Sequence, residues 1–299
     1  MVEAHEREGK QRMEKQRIFI DDILSNENMN RAYKQVIKNK GAAGIDGMEC
    51  ADLLSHLKVN GHQLRESIRN QSYKPMPVKR VEIPKDNGSK RKLGIPTVTD
   101  RMIQQAAAQV LTPIYERKFH TNSYGFRPGK SAQQAVLKAA EYMNEGYNWV
   151  VDIDLEKFFD TVEHDKMISI LNKEIKDGKT LSLIRKFLAS GVMVGEQMEE
   201  TEIGTPQGGN ISPLLANILL NELDWELESR GLRFVRYADD CIILVRSEKA
   251  ATRVMKSVTK YIENVLRLKV NKDKSRIGRP TEIQYLGFAF YYQFQEKKY

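Results

Sequence analysis

Two cysteines, Cys50 and Cys241, are all that the 299 residues hold, too few for a disulfide framework or a zinc set. Cys241 falls in a strand-like apolar run and reads as a small buried hydrophobe. No apolar run approaches the length needed to cross a bilayer. The opening MVEAHEREGKQRMEKQRIF is charged throughout and lacks an apolar signal core. Secretion and membrane insertion are therefore excluded as expectations, and a reducing cytoplasm is expected. A phosphate-binding P-loop is missing too. NKGAAGIDG (39–47) lacks the Lys-Ser/Thr ending and the preceding strand, and DGKT (177–180) has Lys173 where the first glycine belongs. There are no repeats and no low-complexity linker.

What is present is basic. Forty-eight Lys+Arg against 40 Asp+Glu leave a formal charge of +8 and a pI near 9.2, which suits a polyanionic partner. The length implies one large domain or two lobes, and 40% hydrophobic residues can build a sizeable core. YKPMPVKRVEIPKDNGSKRKLGIP (73–96) predicts two strands around a turn at Asn87-Gly88. Lys79, Arg80, Lys85, Lys90, Arg91 and Lys92 crowd that hairpin. Such a cluster either grips phosphates or decorates a solvated edge against aggregation.

Short helices are expected through 18–40, interrupted by NENMN, and longer ones at about 100–118 and 131–145. In the first of the longer pair, Ile103, Ala107, Val110, Leu111 and Ile114 share a face. The loop NSYGFRPGKS (122–131) mixes Tyr124 and Phe126 with Arg127 and Lys130. Aromatics interleaved with cations suit stacking on bases while holding phosphates, although plain packing accounts for the aromatics equally.

Two acidic segments carry the chemistry. RFVRYADDCIILV (233–245) predicts a hairpin with Ala238-Asp239-Asp240 at or near its turn. Turns favour Asp, yet adjacent carboxylates repel unless a cation neutralises them, and hard divalent cations take oxygen ligands. NWVVDIDLEKFFD (148–160) alternates: Trp149, Val151, Ile153 and Leu155 point one way, Val150, Asp152 and Asp154 the other. An acidic strand and an acidic hairpin on one sheet face make a site for two divalent cations, the arrangement that serves phosphoryl transfer. Further along, Ser212 can cap a helix with Pro213 at its first position. Leu215, Leu219, Leu223 and Leu227 mark that helix's buried face. Another helix fills roughly 248–266, and LKVNKDKSRI and IQYLGFAFYYQF are strand-like, with Lys272 and Lys274 nearby.

In this order DIDLEKFFD, GTPQGG and YADD resemble the blocks of reverse transcriptases. RKLGIPTVTDRMIQQA, NSYGFRPGKSAQQAV, GTPQGGNISPLLANILLNELD, NKDKSRI and YLGF narrow the resemblance to those encoded by bacterial group II introns, the intron maturases. It covers about 20 to 295. The fold this implies is α+β: the fingers and palm of a right-hand polymerase, with a small antiparallel palm sheet backed by helices and the thumb absent. Fingers are expected over 1–148, with an N-terminal extension to about 20, and palm over 149–299, with 165–202 leaning on the fingers.

The resemblance makes Asp154, Asp239 and Asp240 catalytic. With the Leu155 carbonyl they would hold two Mg²⁺. Spacing alone does not choose between Asp152 and Asp154; the match to Phe159 and Asp160 selects Asp154. Phe159 resembles the aromatic that crowds the sugar 2′ position. Lys85, Arg91, Gln207 and Lys274 resemble residues around the incoming triphosphate, and Lys274 the one that protonates departing pyrophosphate. Lys79, Arg80, Lys90, Lys92, Arg127 and Lys130 are expected on RNA. Implied partners are group II intron RNA, an RNA template–DNA primer duplex and deoxynucleoside triphosphates in a bacterial cytoplasm, with no membrane. A homodimer through palm surface near YLGF is a further expectation, as is weak activity of a thumbless chain. The alternatives are a splicing cofactor that polymerises little, or a reverse transcriptase of a retron or diversity-generating element.

Overall fold

Two four-stranded sheets organise the chain. The computed structural model describes residues 19–84, 88, 90–195, 197–199, 203–204, 208–293 and 298–299. The first sheet has the order β2-β1-β4-β5. Its strands are β1 (Val78–Pro84), β2 (Lys90–Ile95), β4 (Val192–Val194) and β5 (Gln197–Glu199). β1 and β2 form the expected antiparallel hairpin, in register from Lys79↔Ile95 to Pro84↔Lys90. β4 joins β1 in parallel through Val78↔Val192. No local pattern announces that pairing, which joins residues far apart in the chain.

The second sheet has the order β6-β7-β3-β8 and is antiparallel throughout. It consists of β3 (Trp149–Ile153), β6 (Arg233–Tyr237), β7 (Asp240–Val245) and β8 (Arg276–Gly278). β3 lies in the middle, paired to β7 from Trp149↔Val245 to Ile153↔Cys241. The alternation along β3 is as the sequence predicts, with Val151 and Ile153 in the main core. Its other face is a correction. Val150, Val235, Ile242 and Leu244 are also buried there, packed with Ala135, Ala139 and Tyr124. Helices cover both faces of the sheet, so the polar stretch of β3 is confined to its end at Asp152 and Asp154. Cys241 is buried, as its strand position implies.

Ten helices of the α type occur among the described residues. α1 (Ile20–Leu24) and α2 (Asn26–Asn39) meet at Ser25, whose Oγ accepts the Asn28 N–H at 3.4 Å. NENMN therefore opens α2 instead of interrupting a helix, because Ser25 supplies the cap. α3 (Leu53–Arg69) follows, then α4 (Val98–Glu116), capped by Thr97. α5 (Ala132–Asn144) is capped by Ser131. After β3 come α6 (Phe158–Thr161), α7 (His164–Leu171) and α8 (Gly178–Leu188), and later α9 (Ser212–Ser229) and α10 (Glu248–Asn264). Ser212 lies inside α9, and the N-cap is Ile211 with no side-chain cap. α9 carries Leu215, Leu219, Leu223 and Leu227 into the core. A short hairpin of β9 (Gln284–Tyr285) and β10 (Phe288–Ala289) follows. Among the described residues no helix is long and apolar enough to cross a membrane.

Candidate active site

The β6–β7 hairpin closes on the pair Tyr237↔Asp240, leaving Ala238 and Asp239 as its two-residue apex. Ala238 takes φ +56, a left-handed conformation that a residue with a Cβ adopts at a cost. The neighbouring loop forces a close approach. A Cβ on Gly125 would stand 2.2 Å from the Ala238 nitrogen. Gly125→Ala is therefore expected to displace the apex, destabilising the fold by about 1–3 kcal/mol and slowing the chemistry of the site by roughly 10²-fold. Thermal unfolding and single-turnover rates check this, and a wild-type rate contradicts it.

The acidic strand is pinned by its neighbour in space. The Asp154 N–H donates to Ser275 Oγ at 3.1 Å, and its carbonyl accepts the Asn271 N–H at 2.9 Å. Leu155 bridges Val270, and the Glu156 N–H donates to the Lys269 carbonyl at 2.8 Å. Asn271 Oδ1 then accepts the N–H groups of Asp273 and Lys274 at 3.2 and 3.3 Å. This is the Asx turn that lets Asn reverse a chain, and it brings Lys272 and Lys274 to the acids.

Asp154, Leu155, Asp239 and Asp240 line one cleft of about 1480 Å³, with Phe159, Lys90, Lys92, Lys272 and Lys274 on its walls. The Asp240 carboxyl is pushed up to about 6, first by loss of water around it, then by Asp239, Asp154 and Asp152, with Lys274 opposing. Asp239, Asp154 and Asp152 thus act on Asp240 as neighbouring negative charges. Asp152 does not line it. Its carboxylate lies 3.4 Å from Arg276 Nε, and desolvation raises its pKa against the pull of Arg276. Two aspartates on one face of β3 therefore have different surroundings.

Among the described residues no three His, Cys, Asp or Glu side chains form a ready-made metal cage. That donor set still fits Mg²⁺, which keeps water and binds through one or two carboxylates plus substrate phosphate instead of an all-protein cage.

The remaining expected residues separate into groups. Phe159 is half-buried on the cleft wall, edge-on to Phe158 at 5.1 Å, and Phe158 itself is core. Lys85 and Gln207 lie outside the described residues, and for Arg91, in β2, the structure describes the backbone, paired to Ile83 of β1. Lys79 is exposed and Arg80 half-buried on β1. Lys90 reaches the cleft but also pairs with Glu82 at 2.8 Å.

Arg127 and Lys130, expected on RNA, both have partners within the chain. The Arg127 side chain is 6% exposed, bound to Glu116 at 2.6 Å and donating to the carbonyls of His120 and Ser123. Lys130 Nζ sits 4.7 Å above the Tyr124 ring and donates to the Thr121 carbonyl at 3.3 Å. A buried donor such as Arg127 must be paired, whereas the Lys130 bond lies at the surface.

Three residues of structural weight carry little signal in the sequence. Arg236 is fully buried beneath the hairpin and bound to Asp224. His164 Nε2 lies 2.6 Å from the Gly204 carbonyl, tying α7 to the glycine-rich turn. Gly208, at φ +126, leaves no room for a Cβ against the Gly94 carbonyl of β2, which would stand 2.3 Å away. An arginine flanked by apolar strand residues was the available signal for the first. The others depend on neighbours distant in sequence.

Residues 83–290 match the family described as reverse transcriptase (RNA-dependent DNA polymerase). Protein YkfC of Escherichia coli K12 is 32% identical over 90% of this chain and 80% of its own length. Group II intron-encoded protein LtrA of Lactococcus lactis is also 32% identical, over 86% of this chain but 54% of its own, so the chain spans about half of that relative. Among solved structures, a chain of a partial Cas6-RT-Cas1–Cas2 complex superimposes with a TM-score of 0.52 at 26% identity, over 82% of this chain and 42% of that one. The α+β fold, with its acidic antiparallel sheet, is the fingers-and-palm fold of these relatives. The chain belongs to the reverse transcriptase family, the RNA-dependent DNA polymerases.

Proposed function

We propose that this chain is the polymerase part of a group II intron reverse transcriptase, copying RNA into DNA and binding intron RNA as a maturase. The observation that carries this reading is the convergence of Asp154, Asp239 and Asp240 on one cleft walled by Lys90 and Lys92. The intron assignment draws on the likeness to LtrA and to the putative COX1/OXI3 intron 2 protein of Saccharomyces cerevisiae, 30% identical over 86% of this chain. Residues 1–148 act as fingers and 149–299 as palm.

Asp154, Asp239, Asp240 and the Leu155 carbonyl would hold two Mg²⁺, which when bound supply Lewis acidity at the primer 3′-hydroxyl and the α-phosphate. The protein orients the reacting groups. The carboxylates are aimed into the cleft by the Asp154–Asn271 and Asp154–Ser275 bonds and by the hairpin apex. Lys85, Arg91 and Gln207 are assigned to the incoming triphosphate by their sequence motifs, and Lys90 and Lys92 of β2 to RNA. Lys274, on the same cleft as Asp240, donates a proton to the departing pyrophosphate. Primer extension on an RNA template in Mg²⁺ tests the reading, and a chain that fails to extend under any template defeats it.

Phe159 crowds the sugar 2′ position. Phe159→Ala or Phe159→Val is expected to improve ribonucleotide use by roughly 10–100-fold relative to deoxyribonucleotides, the scale on which a pocket distinguishes small groups. Competition kinetics measure this ratio, and an unchanged ratio assigns Phe159 to packing.

RNA affinity is expected to fall steeply with salt, because each neutralised phosphate releases counterions, with a slope of about −0.7 per phosphate for single strands. Reversing the charge of Lys79, Arg80, Lys90 and Lys92 should flatten the slope by about 0.7 for each phosphate left without its cation. Filter binding across a salt series decides, and an affinity indifferent to salt places the RNA elsewhere.

A further inference from the structure

Arg236 stands three residues before Asp239, between Val235 and Tyr237 of β6, and its side chain is 0% exposed. A buried guanidinium is tolerated when its five N–H donors are paired, and here all are. Nε and Nη2 form a fork onto Asp224 at 2.7 and 2.6 Å. Nη2 also donates to Ser123 Oγ at 2.7 Å, and Nη1 to Asn217 Oδ1 at 3.0 Å and to the Ala238 carbonyl at 2.8 Å.

The backbone adds to this. The Arg236 N–H donates to the Asn122 carbonyl at 2.9 Å, its carbonyl accepts the Tyr124 N–H at 2.8 Å, and Asn217 Nδ2 donates to the Gly125 carbonyl at 2.8 Å. One side chain therefore ties α9, the 122–125 loop and the hairpin apex into a closed ring of bonds.

The bond to Ala238 is the telling one. That carbonyl belongs to the peptide joining Ala238 to Asp239, and Ala238 is held at φ +56. A buried ion pair by itself seldom adds net stability, so a purely structural Arg–Asp pair has no need to reach the apex. We propose that Arg236 is a positioning residue: anchored on Asp224, it fixes the Ala238–Asp239 peptide plane and so aims the Asp239 carboxylate into the cleft. The inference rests on the polymerase reading above.

The test compares the wild-type chain with Arg236→Lys and with the double variant Arg236→Met/Asp224→Leu. The double variant replaces both charges with apolar volume, which a core tolerates, but nothing then reaches the Ala238 carbonyl. Arg236→Lys keeps a cation beside Asp224 yet lacks the fork that serves several acceptors at once. Melting temperature, RNA affinity, deoxynucleotide KM, single-turnover rate and amide exchange of the 237–240 segment are measured on the same samples.

The expected result is a rate lowered roughly 10²-fold, as displaced catalytic groups give, with KM and RNA affinity within about threefold of wild type and faster exchange at the apex. If the double variant does not fold, Arg236→Lys decides on the same criteria. A wild-type rate in a folded variant overturns the proposal, as does a fall in melting temperature, RNA affinity and rate together with unchanged apex exchange. A wild-type chain that extends no primer defeats the polymerase reading instead. The exchange data still decide the apex claim in that case: unchanged protection overturns it and faster exchange upholds it.

Discussion

Asp239→Ala is expected to lower templated DNA synthesis by roughly 10³-fold or more, the size that groups organising charge in phosphoryl transfer reach. RNA binding should stay near the wild-type value. The two effects separate because the acids and the cations assigned to RNA come from different elements of the cleft. Asp239 and Asp240 come from the hairpin apex, whereas Lys90 and Lys92 come from β2. Removing a carboxylate takes no cation away from a phosphate, and it slightly lessens repulsion of a polyanion. Single-turnover extension beside RNA binding at matched salt is the check. Equal losses in both would mean that the apex shapes the RNA surface rather than the chemistry.

The second large effect is on stability. Asp224 and Arg236 are both 0% exposed, and Asp224→Ala leaves the guanidinium buried without its main acceptor. Breaking one side of such a pair costs about 3–5 kcal/mol. At the usual unfolding entropy per residue, that is a fall of roughly 5–8 °C in melting temperature for a chain of this length. Exposed pairs give the contrast. Arg185→Ala, which removes an ion pair to Asp165 at the surface, should shift the melting temperature by about 1 °C or less. Scanning calorimetry on both variants measures the difference, and equal shifts would show that the buried pair has no special weight.

Much of this was legible in the sequence because the informative patterns are local. The period of two along Trp149–Ile153 and the apolar runs flanking Asp239 and Asp240 placed both acidic segments on strands, and helical spacing placed Leu215–Leu227 on a buried face. The pairing of those strands followed from chemistry, since isolated carboxylates in apolar surroundings need a shared cation. Bonds between distant segments stayed hidden. Nothing near Val192 announces its parallel pairing with Val78, and nothing in NKDKS says that Asn271 will hold the Asp154 carbonyl.

Composition leaves the 122–131 loop ambiguous. Arg127 and Lys130 have the residue types of an RNA surface, but Glu116, eleven positions earlier, draws Arg127 inward. Tyr124 occupies Lys130 in the same way. Charge in a loop signals a partner without saying whether that partner belongs to the same chain.

The central claim is that the cleft bounded by Asp154, Asp239 and Asp240 is where RNA-templated DNA synthesis takes place. The two aspartates at the end of β3 offer the most direct test, because they differ by two positions and share a face. Asp154 lines the cleft, while Asp152 is engaged by Arg276. The measurement is single-turnover extension of a DNA primer on an RNA template in Mg²⁺ by the wild-type chain, Asp154→Asn and Asp152→Asn. The account predicts extension by wild type, a rate near the detection limit for Asp154→Asn and a modest loss for Asp152→Asn. A wild-type rate in Asp154→Asn, or an inactive Asp152→Asn beside an active Asp154→Asn, would contradict it.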